Sequence, residues 1–187
     1  VVKFREISLR GPWTSGGIEF NYGVIGHAPS CAHPVDYKVE TKEDGSVSCY
    51  IGVMELLTRT RWMVEINLPK DAVWVRTRSF WHNYSGDFQP YYTWANSGVK
   101  VTDDMELIYP GTYTIGHDGV TTPYPVDEQG RDLSIYAEQG FGLDKSFHPG
   151  GTHKGYFGAY WAGEDFGVLH YALRDEKVGR KYFSWAQ

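Results

Sequence analysis

Glu19 and Asn21 stand two residues apart in GGIEFNY, directly after Gly16-Gly17. Side chains two apart on a strand share a face, so a carboxylate and a carboxamide point together, with Ile18 and Phe20 on the other side. The glycine pair permits close backbone approach beside them. Tyr92, Trp94 and Asn96 repeat the pattern farther along the chain. Two aromatic rings beside a carboxamide suit a sugar, whose ring offers C–H patches to a π-face and hydroxyls to a polar one. The same three residues equally fit a core wall that ends in one hydrogen-bonded Asn. Trp13, Trp81, Tyr91, Tyr160 and Trp161 extend the possible stacking platform, whereas Trp62 and Trp185 read as core.

Asp103-Asp104, Asp118 and Glu164-Asp165 read as turn and surface groups, because Asp and Glu are seldom buried. Glycoside cleavage needs two carboxyl groups about 5–10 Å apart, a spacing that sequence does not fix, and Glu19 is the carboxylate placed for chemistry. Of the seven histidines, His27, His117, His148 and His153 fall in Gly/Pro-rich loops, where functional residues concentrate. A histidine there can act as acid or base near neutral pH. His82 and His170 sit in or at the end of strands and read as packing groups. The 27–33 and 148–153 spacings fit no metal signature, and no CxxC is present, so no metal is expected. The chain lacks a GxSxG elbow, a P-loop and a dinucleotide fingerprint, so no cofactor is expected either.

These residues must be positioned by strands. Val73 to Val101 reads as two strands joined by a short polar turn. Trp62, Val64, Ile66 and Leu68 alternate with Arg61, Met63, Glu65 and Asn67, which predicts one core face and one facing solvent or a cleft. Val35, Tyr37, Val39 and Thr41 alternate with Asp36, Lys38 and Glu40, which predicts a half-buried strand. Glu43-Asp44-Gly45-Ser46 then forms a hairpin turn suited to positive φ, and Val47 to Met54 returns antiparallel. Further strands are expected at 1–9, within 13–22, and at 105–109, 112–115, 156–161, 167–173 and 181–185. Leu133 to Glu138 is the best candidate for a short helix. Gly116 to Gly155 breaks the spacing. Loops beyond about 12–15 residues are uncommon and often functional, and an unrecognised strand with a surface loop fits the stretch equally well.

Many short strands with Gly and Pro turns indicate an all-β fold of two large antiparallel sheets. The 187 residues fit one domain, 1–187, with length enough for a real core. Aromatic content of 16% is high for the 41% apolar and 22% charged residues around it, which suits strands and binding surfaces alike. A net charge of −5 gives no reason to expect nucleic acid or an anionic membrane as partner. No apolar run approaches the ~20 residues of a membrane span. The start, VVKF, without Met or signal, reads as a piece of a longer protein. Cys31 lies in a loop and Cys49 in a buried strand, so no disulfide is expected and Cys49 reads as a buried thiol.

GPWTSGGIEFNYGVIGHAP, HPVDYKVETKEDGS, YYTWANSGVKVTDD and the closing GRKYFSWAQ resemble an uncharacterised bacterial domain family of the galactose-mutarotase-like supersandwich group. The resemblance spans nearly the whole chain. It implies a large antiparallel β-supersandwich, often beside tetratricopeptide-type repeats, with a role in carbohydrate binding or processing. By position, Glu19, Asn21, His27, Trp94 and Asn96 would line a concave sugar cleft. The chain departs from the pattern at YGVIGHAP, where relatives carry paired histidines and an Arg. Mutarotase-like sandwiches also run longer and place a catalytic Glu near their C-terminal end, which implies that this Glu lies past Gln187.

Three functions fit. The first is a carbohydrate-binding domain of a larger polysaccharide-using protein, with Trp13, Asn21, Tyr92, Trp94, Asn96, His117 and His148 on the sugar and other domains of the parent chain as partners. A periplasmic or cell-surface location is then favoured over a cytoplasmic one. The second is a mutarotase, epimerase or glycoside-processing enzyme with His27 as acid and Glu19 as base. The third is a structural sandwich that supports neighbouring domains.

Overall fold

The computed structural model describes residues 3–4, 14–15, 17–22, 33–140, 145–177 and 179–184. The fold is all-β, and among the described residues every strand pairing is antiparallel. Among the described residues the helical element is one 3-10 turn, Tyr136–Gln139. Two compact units divide the chain, Val1–Lys100 and Val101–Gln187.

The first unit opens with β1 (Lys3–Phe4) paired to β2 (Thr14–Ser15), then β3 (Gly17–Tyr22). Four strands follow as one sheet in sequence order: β4 (Asp36–Thr41), β5 (Val47–Glu55), β6 (Thr60–Leu68) and β7 (Arg76–Asn83). The β4–β5 hairpin turns where the Asp-Gly pair predicts. Gly45 adopts φ 80 and Asp44 Oδ1 accepts the Ser46 N–H at 2.9 Å. The β5–β6 turn closes on Glu55, whose carboxylate accepts the Leu57 and Thr58 N–H groups (2.9 and 2.6 Å) and the Thr58 hydroxyl (2.6 Å).

Register sets the two faces of this sheet. Trp62 sits across from Val53 and Trp81, and Val64 from Ile51 and Ser79. Trp62 and Val64 are buried with Tyr22, and Phe20, Val35, Ile51, Val53, Ile66 and Trp81 pack around them. Leu68 departs from the expected core face at 47% exposure, because it ends its strand opposite the exposed Val47, outside the Tyr22–Trp62 core. The expected half-burial of β4 is also corrected: Tyr37 is 77% and Val39 59% exposed. β4 is an edge strand, and its apolar side lies past the covered centre of the sheet.

The strands of Val73–Val101 do not pair with each other. β7 closes the four-stranded sheet, whereas β8 (Thr93–Gly98) pairs with β3. Residues 84–92 carry the chain between sheets, folded by Asn83, which donates to the Asp87 carbonyl (2.8 Å) and accepts from Ser85 Oγ (2.6 Å). Alternation predicts which face a residue takes; it does not predict the neighbouring strand.

In the second unit, β9 (Met105–Ile108), β13 (Tyr156–Trp161) and β14 (Phe166–Tyr171) form one sheet. β10 (Tyr113–Gly116), β11 (Thr121–Pro123), β12 (Lys145–Gly150) and β15 (Tyr182–Ser184) form another. The core of this unit is Met105, Leu107, Ala159, Trp161 and Tyr182. Trp161 is therefore a core residue and not part of a stacking platform. The irregular stretch 116–155 contains β11, the 3-10 turn and all of β12, so it holds unrecognised strands. Asp127 braces its middle with a 2.7 Å ion pair to Arg131. His170 packs as expected: its ring stacks on Phe157 at 4.9 Å, and burial pushes its pKa below the ordinary value. Cys49 is a free thiol, half-buried rather than enclosed, and Cys31 lies outside the described residues.

Candidate functional site

The antiparallel β3–β8 ladder assembles the polar residues picked out above. Its register sets Glu19 opposite Asn96 and Asn21 opposite Trp94. All four side chains therefore emerge on one face. On the other face, Phe20 and Tyr22 turn into the core around Trp62 and Val64. Gly17 starts the ladder at φ 70, a left-handed backbone that explains a glycine there.

Hydrogen bonds hold the cluster together. Asn21 Nδ2 donates to Glu19 Oε1 at 2.6 Å, and Asn96 Nδ2 donates to the same oxygen at 3.3 Å. The Thr93 hydroxyl donates to the Asn21 carbonyl at 2.9 Å, tying the two strands at their far end. Glu19 is 8% exposed and Asn21 fully buried, while Trp94 and Asn96 are half-buried. A buried carboxylate is tolerable only when hydrogen-bonded, and here the carboxamides meet that need. The Tyr92 ring lies 5.1 Å from Trp94 at 57°, so two aromatic rings flank the polar cluster. Tyr91 turns away and meets Trp81 at 5.2 Å.

A family profile described as "Domain of unknown function (DUF5107)" matches residues 1–187. The chain belongs to the DUF5107 family. Its fold is similar to the crystal structure of a TPR-domain containing protein from Parabacteroides distasonis ATCC 8503. The TM-score is 0.78 at 20% identity, over 91% of this chain and 29% of that one. A likeness at that identity is one of fold. This DUF5107 chain spans less than a third of the length of that protein.

The remaining predicted residues fall elsewhere. His27 and Trp13 lie outside the described residues. His117 and His148 belong to the second unit and meet there: their rings are 5.6 Å apart, and His117 Nε2 is 2.8 Å from Ser146 Oγ. His148 reaches this place through its register with Ile115 on β10. Among the described residues, no group of three or more His, Cys, Asp and Glu side chains is placed to hold a metal ion.

A second polar cluster escapes sequence reading. On the polar face of the four-stranded sheet, Glu65 is 8% exposed. Its Oε1 accepts from Lys42 Nζ (2.7 Å), Ser48 Oγ (2.8 Å) and the Tyr50 hydroxyl (3.1 Å). The Lys42 ammonium, then the Ser48 hydroxyl, hold the Glu65 carboxyl down to a pKa of about 2. Asn67 extends the cluster by donating to Ser48 Oγ at 2.9 Å. The β5–β6 register sets Tyr50 opposite Glu65 and Ser48 opposite Asn67, a pairing that alternation within either strand does not encode.

Proposed function

We propose that this DUF5107 domain binds carbohydrate as one module of a larger protein, and that the β3–β8 face is where the sugar rests. The observation that carries the reading is the tie of Glu19 to Asn21 and Asn96 on the face that also presents Tyr92 and Trp94. A pyranose needs an aromatic surface for its C–H side and fixed acceptors and donors for its hydroxyls. Trp94 and Tyr92 supply the surface. Asn96 supplies the accessible polar group, pre-arranged by the buried Glu19 and Asn21 behind it, so less order is lost on binding. Assignment to the galactose-mutarotase-like supersandwich group belongs to the same proposal, with His27 and Trp13 as further sugar-binding residues and the His117–His148 pair as a separate sugar contact of the second unit.

Stacking and neutral hydrogen bonds make binding nearly insensitive to salt, unlike attraction to an ionic partner. The test is calorimetric titration of neutral mono- and oligosaccharides into wild type and Trp94→Ala. Saturable binding by wild type, lost in Trp94→Ala, supports the reading. No binding across the panel, or equal binding by the variant, overturns it.

A further inference from the structure

The polar face of the four-stranded sheet looks away from the core that Tyr22 and Trp62 share. Along β4 to β7 the polar face carries Lys38, Lys42, Arg61, Arg76 and Arg78 against Asp36, Glu40 and Glu65. An excess of cations here stands out in a chain of net charge −5. Lys42 is committed to Glu65, and Lys38 lies 3.5 Å from Glu40. Arg76 rests over the Trp74 ring at 5.5 Å. Arg61 and Arg78 have no hydrogen-bond or ion-pair partner among the described residues.

A groove of about 350 Å³ opens at Gly52, lined by Tyr50 and Met63 and by the charged Asp36, Lys38, Glu40 and Arg61, of which Lys38 and Glu40 pair with each other. Its floor cannot be filled by a side chain, because a Cβ on Gly52 would meet the Trp62 carbonyl oxygen at 2.7 Å. One wall is fixed in place. The Tyr50 hydroxyl donates to Glu65, a carboxylate that is itself buried and held by Lys42 and Ser48.

We propose that the Gly52 groove binds a saccharide unit bearing a carboxylate, the repeating unit of an acidic polysaccharide. The sugar ring lies on Tyr50 and Met63, over a glycine floor that allows close approach. Its carboxylate pairs with the unengaged Arg61 guanidinium, whose planar fork suits two parallel hydrogen bonds. Asp36 accepts a hydrogen bond from a ring hydroxyl, and Lys38 donates to a ring oxygen. The inference does not rest on the β3–β8 reading, since the two faces share no residue.

A trisaccharide of galacturonate, titrated at low ionic strength beside the neutral trisaccharide of galactose, is the test. The acidic trisaccharide should bind and weaken as sodium chloride is added. Arg61→Ala should weaken it roughly tenfold to a hundredfold, the loss of one charge-assisted contact. Arg76→Ala, in the register row of Ser48 and Asn67 and two rows from Gly52, should change it little. Failure of the acidic trisaccharide to bind, or full binding by Arg61→Ala, overturns the proposal. So does an Arg76→Ala loss equal to that of Arg61→Ala, which would mean diffuse attraction without a groove. Neutral-sugar binding lost only in Trp94→Ala reports on the other face and leaves this outcome independent.

Discussion

The Tyr22 ring stacks on Trp62 with centroids 4.9 Å apart and planes 10° from parallel. Tyr22 ends β3 and Trp62 lies in β6, so this one contact joins the two-stranded sheet to the four-stranded sheet. It also decides the outward faces. With Tyr22 and Phe20 turned inward, Glu19 and Asn21 must emerge on the side away from that core. With Trp62 turned inward, Arg61 and Met63 must emerge on the far side of the larger sheet.

Trp62→Ala should destabilise the protein by about 3–5 kcal/mol, the usual cost of removing a buried indole. Trp62 is 5% exposed and touches both sheets, so the cavity cannot close by shifting one strand. Chemical denaturation of wild type and variant measures the difference. A loss under about 1 kcal/mol, typical of a tolerated surface change, would contradict the stacked arrangement.

Glu65 should make stability depend on acid pH. Its carboxyl has an ordinary value of 4.5 when unfolded and about 2 when folded. A depressed folded value means the contribution is complete above about pH 4.5 and is lost as pH falls through about 2. Glu65→Gln keeps the shape and removes the charge, at an expected cost of about 1–3 kcal/mol near neutrality for hydrogen bonds to a charged group. The gap between wild type and variant, followed by denaturation from pH 6 to pH 2, should narrow across that window. A constant gap would show that the charge contributes nothing.

Much of this was legible in the sequence, and the failures have one physical source. Alternation placed Trp62 and Val64 inward, and it put Glu19 with Asn21 and Trp94 with Asn96. Period two is a property of the strand itself, so it survives any choice of neighbour. Sequence alone did not place Asn96 across from Glu19, separate β7 from β8, or bring Lys42, Ser48 and Tyr50 to Glu65. Each of those depends on register between segments distant in the chain, which local patterning does not encode. Tyr37 and Val39 show the same limit: alternation gave them an apolar face, but edge position left it uncovered.

Gly52→Ala should be far costlier than a surface Gly→Ala change on a strand. Gly52 is in extended backbone at the centre of the sheet, opposite Met63, and its added methyl would strike the Trp62 carbonyl oxygen. Backbone cannot rotate away as a flexible side chain would, so β5 must move off β6. A loss of about 1–3 kcal/mol is expected for such overpacking. Gly86→Ala is the control, because nothing lies within 4 Å of its added methyl. Equal melting temperatures for the two variants would refute the close approach.

Asn96→Asp should reverse the sense of the Glu19 cluster at almost constant volume. In the wild type, Asn96 donates to Glu19 Oε1 while Asn21 donates to the same oxygen. The substitution replaces a donor by a second carboxylate, and two carboxylates that close cannot both ionise without mutual repulsion. The lost hydrogen bond and the repulsion together should cost about 1–3 kcal/mol at pH 7. Protonation of either carboxyl restores a donor between the oxygens, so the cost should shrink as the pH falls through the carboxylate range. Thermal melts of wild type and Asn96→Asp at pH 7 and at pH 4 read this directly. A variant with wild-type stability at pH 7, or a deficit that grows on acidification, would break the link between Asn96 and Glu19.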